Sequence, residues 1–137
     1  MTRVAVSGAR DWDDKRVVSR ELRRLRPGAV VQGGAPGADS IAAAWAIKRK
    51  VAVETFPAEW DKHGRKAGPL RNKAMVDSRP DYWVAFMKPG SRGTSDFVQH
   101  AVRAGIPGHV VYRTTGGYER ITGSEALYRT GRRKRPV

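Results

Sequence analysis

The sequence predicts an α/β class: a single Rossmann-like, three-layer domain on a mostly parallel sheet of about five strands. Three observations predict it. Short apolar runs alternate with stretches of helical period along residues 3–112. Three of those runs lead into Gly-rich turns: Ser7-Gly8-Ala9-Arg10, Gly33-Gly34-Ala35-Pro36-Gly37-Ala38-Asp39 and Pro89-Gly90-Ser91-Arg92-Gly93-Thr94. At 137 residues the chain is long enough for one core and too short for two. Strands separated by helical segments imply right-handed crossovers, hence a parallel sheet covered on both faces.

Residues 3–7 read as the first strand. Residues 13–26 carry Val18, Leu22 and Leu25 at helical spacing, with Asp13 and Asp14 near the start where anions suit the helix dipole. This helix has a cationic outer face. Residues 29–32 form a second strand running into Gly33-Gly34. Residues 38–48, rich in alanine with Ile41, Trp45 and Ile47, form a helix able to lie close on a sheet. Residues 51–56 alternate β-branched side chains and read as a third strand, whereas residues 57–68 show no period and read as a long polar loop. A helix over 69–78 has Pro69 in its first turn. Residues 81–87 are a fourth strand, 95–104 a helix stopped by Gly105, and 109–112 a fifth strand. Trp45 and Trp83 fall inside elements and read as core.

From Arg113 onward Gly, Thr and Arg dominate, and residues 113–137 are expected to be a basic, partly disordered tail beyond a domain of residues 1–112, with a short helix around 124–129.

The chain holds 27 basic and 13 acidic residues, a net charge of +14. The tail has seven basic and two acidic side chains, contributing +5 and leaving +9 on the body. Such a field favours phosphate-bearing ligands and polyanions. The absence of cysteine excludes disulfides, thiol catalysis and thiolate metal sites. His63, His100 and His109 lack ligand spacing, so neither a metal nor another cofactor is expected. With a strand starting by Arg3 and no apolar run near the roughly 20 residues of a membrane span, the expectation is a cytoplasmic protein with no membrane partner.

In an open parallel sheet, ligands sit beyond the carboxyl ends of the strands, where strand order reverses. All three Gly-rich loops leave such ends. Their free N–H groups and the helix starts that follow suit an anion. The spacing is neither the G-x-G-x-x-G dinucleotide fingerprint nor a P-loop, since Gly34 to Asp39 lacks the lysine and hydroxyl.

The ordered series Ser7-Gly8-Ala9-Arg10-Asp11-Trp12, Gly33 to Asp39 with Ala44-Trp45-Ala46, Pro57-Ala58-Glu59-Trp60, Gly64, Ala67-Gly68-Pro69-Leu70-Arg71-Asn72, Met75, Phe86 and Gly93-Thr94 resembles the YspA/YpsA-related SLOG family from Arg3 to about Tyr112. That Rossmann-like superfamily includes the LOG nucleoside-monophosphate phosphoribohydrolases and the DNA-processing protein A of transformation. The resemblance implies a pocket for a nucleotide or ADP-ribose-like ligand, and a homodimer is compatible with it.

On the family pattern, Ser7, Gly8 and Arg10 line the ligand from the first loop, and Gly33, Gly34 and Gly37 let backbone approach a phosphate or ribose. Asp39 accepts from ribose hydroxyls or caps its helix. Arg71 and Asn72 offer a guanidinium fork and an amide, and Gly90, Gly93 and Thr94 offer donors to a phosphate. Trp12 and Trp60 are candidates for stacking on a base. LOG enzymes use an arginine and the glutamate of P-G-G-x-G-T-x-x-E, but here the glutamate position is Phe97 and the adjacent carboxylate is Asp96. Arg71 and Asp96 are therefore the catalytic candidates if there is N-glycosidic hydrolysis. Two readings follow: a nucleotide or ADP-ribose sensor or sequestering module, or a single-stranded nucleic-acid-binding protein using the basic surface and tail.

Overall fold

The computed structural model describes residues 2–135. The chain forms a six-stranded sheet in the order β3-β2-β1-β4-β5-β6, with β1 Arg3–Gly8, β2 Ala29–Gln32, β3 Ala52–Thr55, β4 Tyr82–Met87, β5 Gly108–Thr114 and β6 Gly117–Ile121. The first five strands pair in parallel and β6 pairs antiparallel with β5. Strand order reverses between β1 and β4, whose register sets Ser7 beside Ala85 and Gly8 beside Phe86. That reversal is where the sequence places a ligand.

Alternate residues of the central strands feed two cores, as a pleated strand buried on both faces requires. Val4, Val6, Val30, Val84, Phe86 and Val111 meet helices α1, Lys15–Leu25, and α2, Ala38–Lys48. Ala5, Val31, Trp83, Ala85, Met87 and Val110 point the other way, onto α4, Ala67–Asp77, α5, Arg92–Arg103, and α6, Gly123–Arg129. A short helix α3, Trp60–His63, and a 3₁₀ turn, Gly64–Lys66, precede α4.

Three sequence expectations are corrected. Residues 57–68 are not all loop: α3 and the 3₁₀ turn lead straight into α4, which begins two residues before Pro69. The missing N–H of Pro69 still falls in a first turn, where no intrahelical partner exists.

The second correction concerns the C-terminal segment. The strand β5 continues to Thr114, β6 adds a sixth strand, and α6 buries Ala126 and Leu127 to 0% and 1% exposure against α5 and the sheet. Residues 113–129 thus belong to the same folded body as residues 2–112. Only Tyr118 and Ile121 in β6 are apolar, so no period betrays that strand in sequence, whereas the short helix expected around 124–129 is α6, Gly123–Arg129.

The third is Trp12. Its ring is 3% exposed, packed 5.5 Å from both Phe86 and Tyr118, and its Nε1 donates to the Asp14 carbonyl at 3.1 Å. It closes the core under α1 and does not face a ligand.

Candidate functional site

Where β1 and β4 part, the loop after β1, the start of α2, the first turns of α4 and the loop after β4 enclose a cleft of about 350 Å³. Ser7, Gly8, Arg10, Asp39, Arg71, Asn72, Gly90, Gly93 and Thr94 line it, so nine of the sequence-predicted residues come together. Gly33, Gly34, Gly37 and Trp12 do not.

The loops are held together by backbone contacts that leave little room for side chains. Ala9 N–H donates to Phe86 O at 2.9 Å and Ala38 N–H to Ala9 O at 3.3 Å, tying the first loop to β4 and to α2. Gly37 sits at φ +80°, and a Cβ there would collide with the carbonyls of Ala9 and Arg10. Gly33 is closed off differently: its Cβ would run into the Arg71 guanidinium. These glycines let the protein approach itself, and their part in the cleft is indirect.

Arg71 is the centre of the site. It rises from α4, donates Nη1–H to Gly33 O at 2.8 Å and Nε–H to Asn72 Oδ1 at 3.0 Å. Both acceptors are neutral, so its charge is not cancelled by a direct ion pair. Burial pushes its pKa down, Asp39 opposes that, and the like charge of Arg10 adds to it.

Asp39, in the first turn of α2, is 5% exposed and accepts from the N–H groups of Gly33 and Ala35 through Oδ2, at 3.0 and 3.3 Å. Burial lifts its carboxyl to about 6, against the pull of those backbone donors, Arg71 and Arg10. It thus fastens the second loop, and a perturbed carboxyl in a cleft is also a recurrent mark of function.

Asn72 is saturated: Oδ1 takes the Arg71 bond, and Nδ2 donates to Gly93 O at 3.1 Å and Asp96 Oδ2 at 3.0 Å. It positions Arg71 against α5. Asp96 does not line the cleft. Its carboxylate faces Asn72, with His100 at 3.6 Å and Arg132 at 3.9 Å, which separates this catalytic candidate from any cleft ligand.

Two helix N-termini border the cleft with no side-chain cap. The residue before α2 is Gly37, which has none to offer. Before α5 stands Ser91, whose Oγ instead accepts from Lys88 N–H at 3.1 Å. The first N–H groups of such helices have no intrahelical partner and carry the positive end of the dipole. The helix α5 starts at Arg92, three residues before its predicted start, which puts Gly93 and Thr94 inside that first turn.

The sequence reading missed Lys88 and Arg92. Both line the cleft; Lys88 pairs with Asp11 at 2.9 Å, while no ion pair of Arg92 forms among the described residues. Arg92 lay within the quoted Gly-rich motif, and its cationic character was the available signal. Trp60, 47% exposed, stands outside the cleft with Arg10 5.5 Å over its ring. In all, four cations, Arg10, Arg71, Lys88 and Arg92, face two carboxylates, Asp11 and Asp39. The arrangement can hold an anion. Among the described residues no group of three or more His, Asp or Glu side chains is placed to hold a metal ion, and no helix is long and apolar enough to cross a membrane.

Comparison with known proteins bears out the fold and gives the family. Solved structures of DNA processing protein A (DprA) share the fold. The Streptococcus pneumoniae protein superposes with a TM-score of 0.68 at 16% identity over 84% of this chain, which spans 52% of that one. The Helicobacter pylori protein, described for its single-stranded DNA binding mode, gives 0.67 at 18% identity over 95% of this chain and 73% of its own. In sequence, the chain is 42% identical over 117 residues to the Gene 61 protein of Mycobacterium phage D29, covering 78% of this chain and 94% of that protein. Residues 2–63 match the family model of the YspA, cpYpsA-related SLOG family. With its fold, its paired Gly-rich loops and these relatives, the chain belongs to the YspA, cpYpsA-related SLOG family.

Proposed function

We propose that the cleft binds a nucleotide or ADP-ribose-like ligand through its phosphate and serves as a sensing or sequestering module. One observation carries the reading: two helix N-termini without side-chain caps and an Arg71 held only by neutral oxygens converge at the strand-order reversal. A phosphate there gains backbone N–H donors, two helix dipoles and a guanidinium fork. The second carboxylate oxygen of Asp39 is suited to a ribose hydroxyl.

The proposal is binding rather than turnover. Phe97, at the position of the LOG glutamate, is 0% exposed, and Asp96 is committed to Asn72. General acid–base chemistry needs a group within hydrogen-bond reach of the reacting atom.

A second reading, a single strand of nucleic acid laid in the same cleft, is favoured by the H. pylori relative described for single-stranded DNA binding. A thermal-shift panel of ADP-ribose, NAD, AMP and a short single-stranded oligonucleotide separates the two. Stabilisation by one small molecule, persisting at high salt, supports the pocket; a shift with the oligonucleotide alone supports the second reading. Arg71→Ala should weaken the small ligand by at least about 1.5 kcal/mol, the low end for a hydrogen bond to a charged group. A folded variant with unchanged affinity would overturn the site.

A further inference from the structure

The helix α1 carries a ridge of uncompensated positive charge. Arg16, Arg20, Arg23 and Arg24 are all exposed, and none forms an ion pair or side-chain hydrogen bond among the described residues. At 100° per residue they fall within an arc of about 100°, and Arg16 to Arg23 span about 10 Å along the axis. The one acidic residue within α1, Glu21, is turned away: its side chain is 1% exposed and bonded to Arg120 and His109. The acids at the helix start, Asp13 and Asp14, sit before the ridge, and Asp14 is occupied by Val17 N–H and the Tyr118 hydroxyl.

Neighbouring chemistry extends the patch. Arg26, also exposed, ends the ridge, and α2 packs beside α1 after a crossover of the same sense. The end of α2 carries exposed Lys48, Arg49 and Lys50, with Arg49 4.7 Å over the Trp45 ring. Two shallow hollows of about 550 and 430 Å³ lie along the ridge, lined by Asp14 to Arg23 and by Arg20 to Arg26. None of the cleft's lining residues takes part in either.

We infer that the α1 ridge is a docking surface for the sugar-phosphate backbone of nucleic acid, separate from the cleft and independent of what the cleft binds. A duplex presents one charge per about 1.7 Å of axis, so a ridge of about 10 Å faces several phosphates at once. Helix α1 has no aromatic side chain on which an unpaired base could stack, so the phosphates of a duplex, and not the exposed bases of a single strand, are the groups this ridge meets. Nor does the arginine arc present apolar side chains to bury in a lipid surface, which sets it apart from membrane-binding helices. Binding on this face is sequence-independent and steeply salt-dependent.

The test uses the whole chain and a fluorescein-labelled random duplex of about 25 base pairs, with anisotropy read between about 50 and 200 mM KCl. The triple variant Arg16→Gln/Arg20→Gln/Arg23→Gln removes charge with little loss of helix propensity, and a circular-dichroism melt confirms its fold. With about three phosphate contacts removed, affinity at the low-salt end should fall at least about tenfold and the log–log salt slope should flatten by about 2 to 3. Single Arg20→Glu should lose affinity in the same sense, while Arg103→Gln, at an exposed arginine of α5 outside both the cleft and the ridge, stays within about twofold of wild type. Wild-type affinity in the folded triple variant, a loss in Arg103→Gln equal to that of the triple, or equally tight binding to phosphatidylserine-containing vesicles would each overturn the assignment.

Discussion

Helices α1 and α6 lie on opposite faces of one sheet, and the arginines of α1 and those from the end of α6 to Arg135 meet opposite fates. On α6 and the residues after it, Arg129 reaches Glu125 at 3.0 Å and Glu119 at 2.9 Å, and Arg135 reaches Glu125 at 2.6 Å. Arg132 spends its donors on Ser95, Gln99 and the Arg92 carbonyl. On α1 the arginines have no such partners, because the helix's one internal acid points inward. The sequence run Arg132-Arg133-Lys134-Arg135 looks like the adhesive end of the chain, yet much of its surroundings is neutralised. Free charge is decided by where the few acids go, not by how many bases a segment holds.

The comparison is most severely tested by asking whether the α6 side is folded at all. Leu127→Ala should cost about 2–5 kcal/mol, the range for truncating a buried leucine, measured by denaturant melting. A loss below about 0.5 kcal/mol, the size of an ordinary surface substitution, would return residues 113–129 to the status of a loose tail.

Next in size is the joint between the two sides. Glu21 accepts from His109 Nε2 at 2.8 Å and from Arg120 Nε at 2.8 Å, so β5 and β6 are tied to α1 through one buried carboxylate. An ionised carboxylate can only accept, which makes Nε2 of His109 the donor to it, while Nδ1 lies 2.8 Å from the Tyr82 hydroxyl. Glu21→Ala should cost about 3 kcal/mol, the low end for breaking a buried pair, because Arg120 is half exposed and regains water.

That joint also has a pH signature. Burial alone would raise the Glu21 carboxyl, but bonds from His109 and Arg120 outweigh it and hold it at about 2 rather than 4.5. An unfolded chain takes up this proton first as pH falls. The stabilisation is therefore complete above about 4.5 and is lost between there and about 2. In the Glu21→Ala variant, melts across this window should lose that part of their pH dependence.

The smallest expected effect sharpens the contrast itself. Glu119→Gln/Glu125→Gln frees Arg129 and Arg135, and should raise duplex affinity by about threefold, in proportion to one or two added phosphate contacts in partly screened solvent. An unchanged affinity would mean that position on the surface, and not pairing, decides which arginines bind.

Much of this molecule is legible in its sequence. The strands β1, β2 and β4 are short apolar runs buried along most of their length, α1 and α5 carry clear helical periods, and α2 and α4 are marked by an alanine run and by Pro69, so β1 to β5, α1, α2, α4 and α5 lie close to their predicted places. The three Gly-rich loops mark the cleft, because glycine clusters at strand ends are a local signal. Illegible was β6, and so was the burial of the short helix expected around 124–129, which comes from docking onto α5. Illegible too was the division of labour within the motifs. Gly33 and Gly37 serve loop packing, Trp12 serves the core, and Asn72 and Asp96 hold Arg71 and α5, while Lys88 and Arg92 join the cleft unannounced.

The sequence by itself determined the α/β class, the Gly-rich loops that border the cleft and the cationic face of α1, since periodicity, turn chemistry and charge spacing are all read within a few residues. Tertiary structure alone decided which charges stay free. Arg71 meets Gly33 across 38 residues, Arg120 meets Glu21 across 99, and Tyr118 meets Asp14 across 104. Such pairings depend on the order in which strands assemble, and a side chain's neighbours in space leave no periodic trace along the chain.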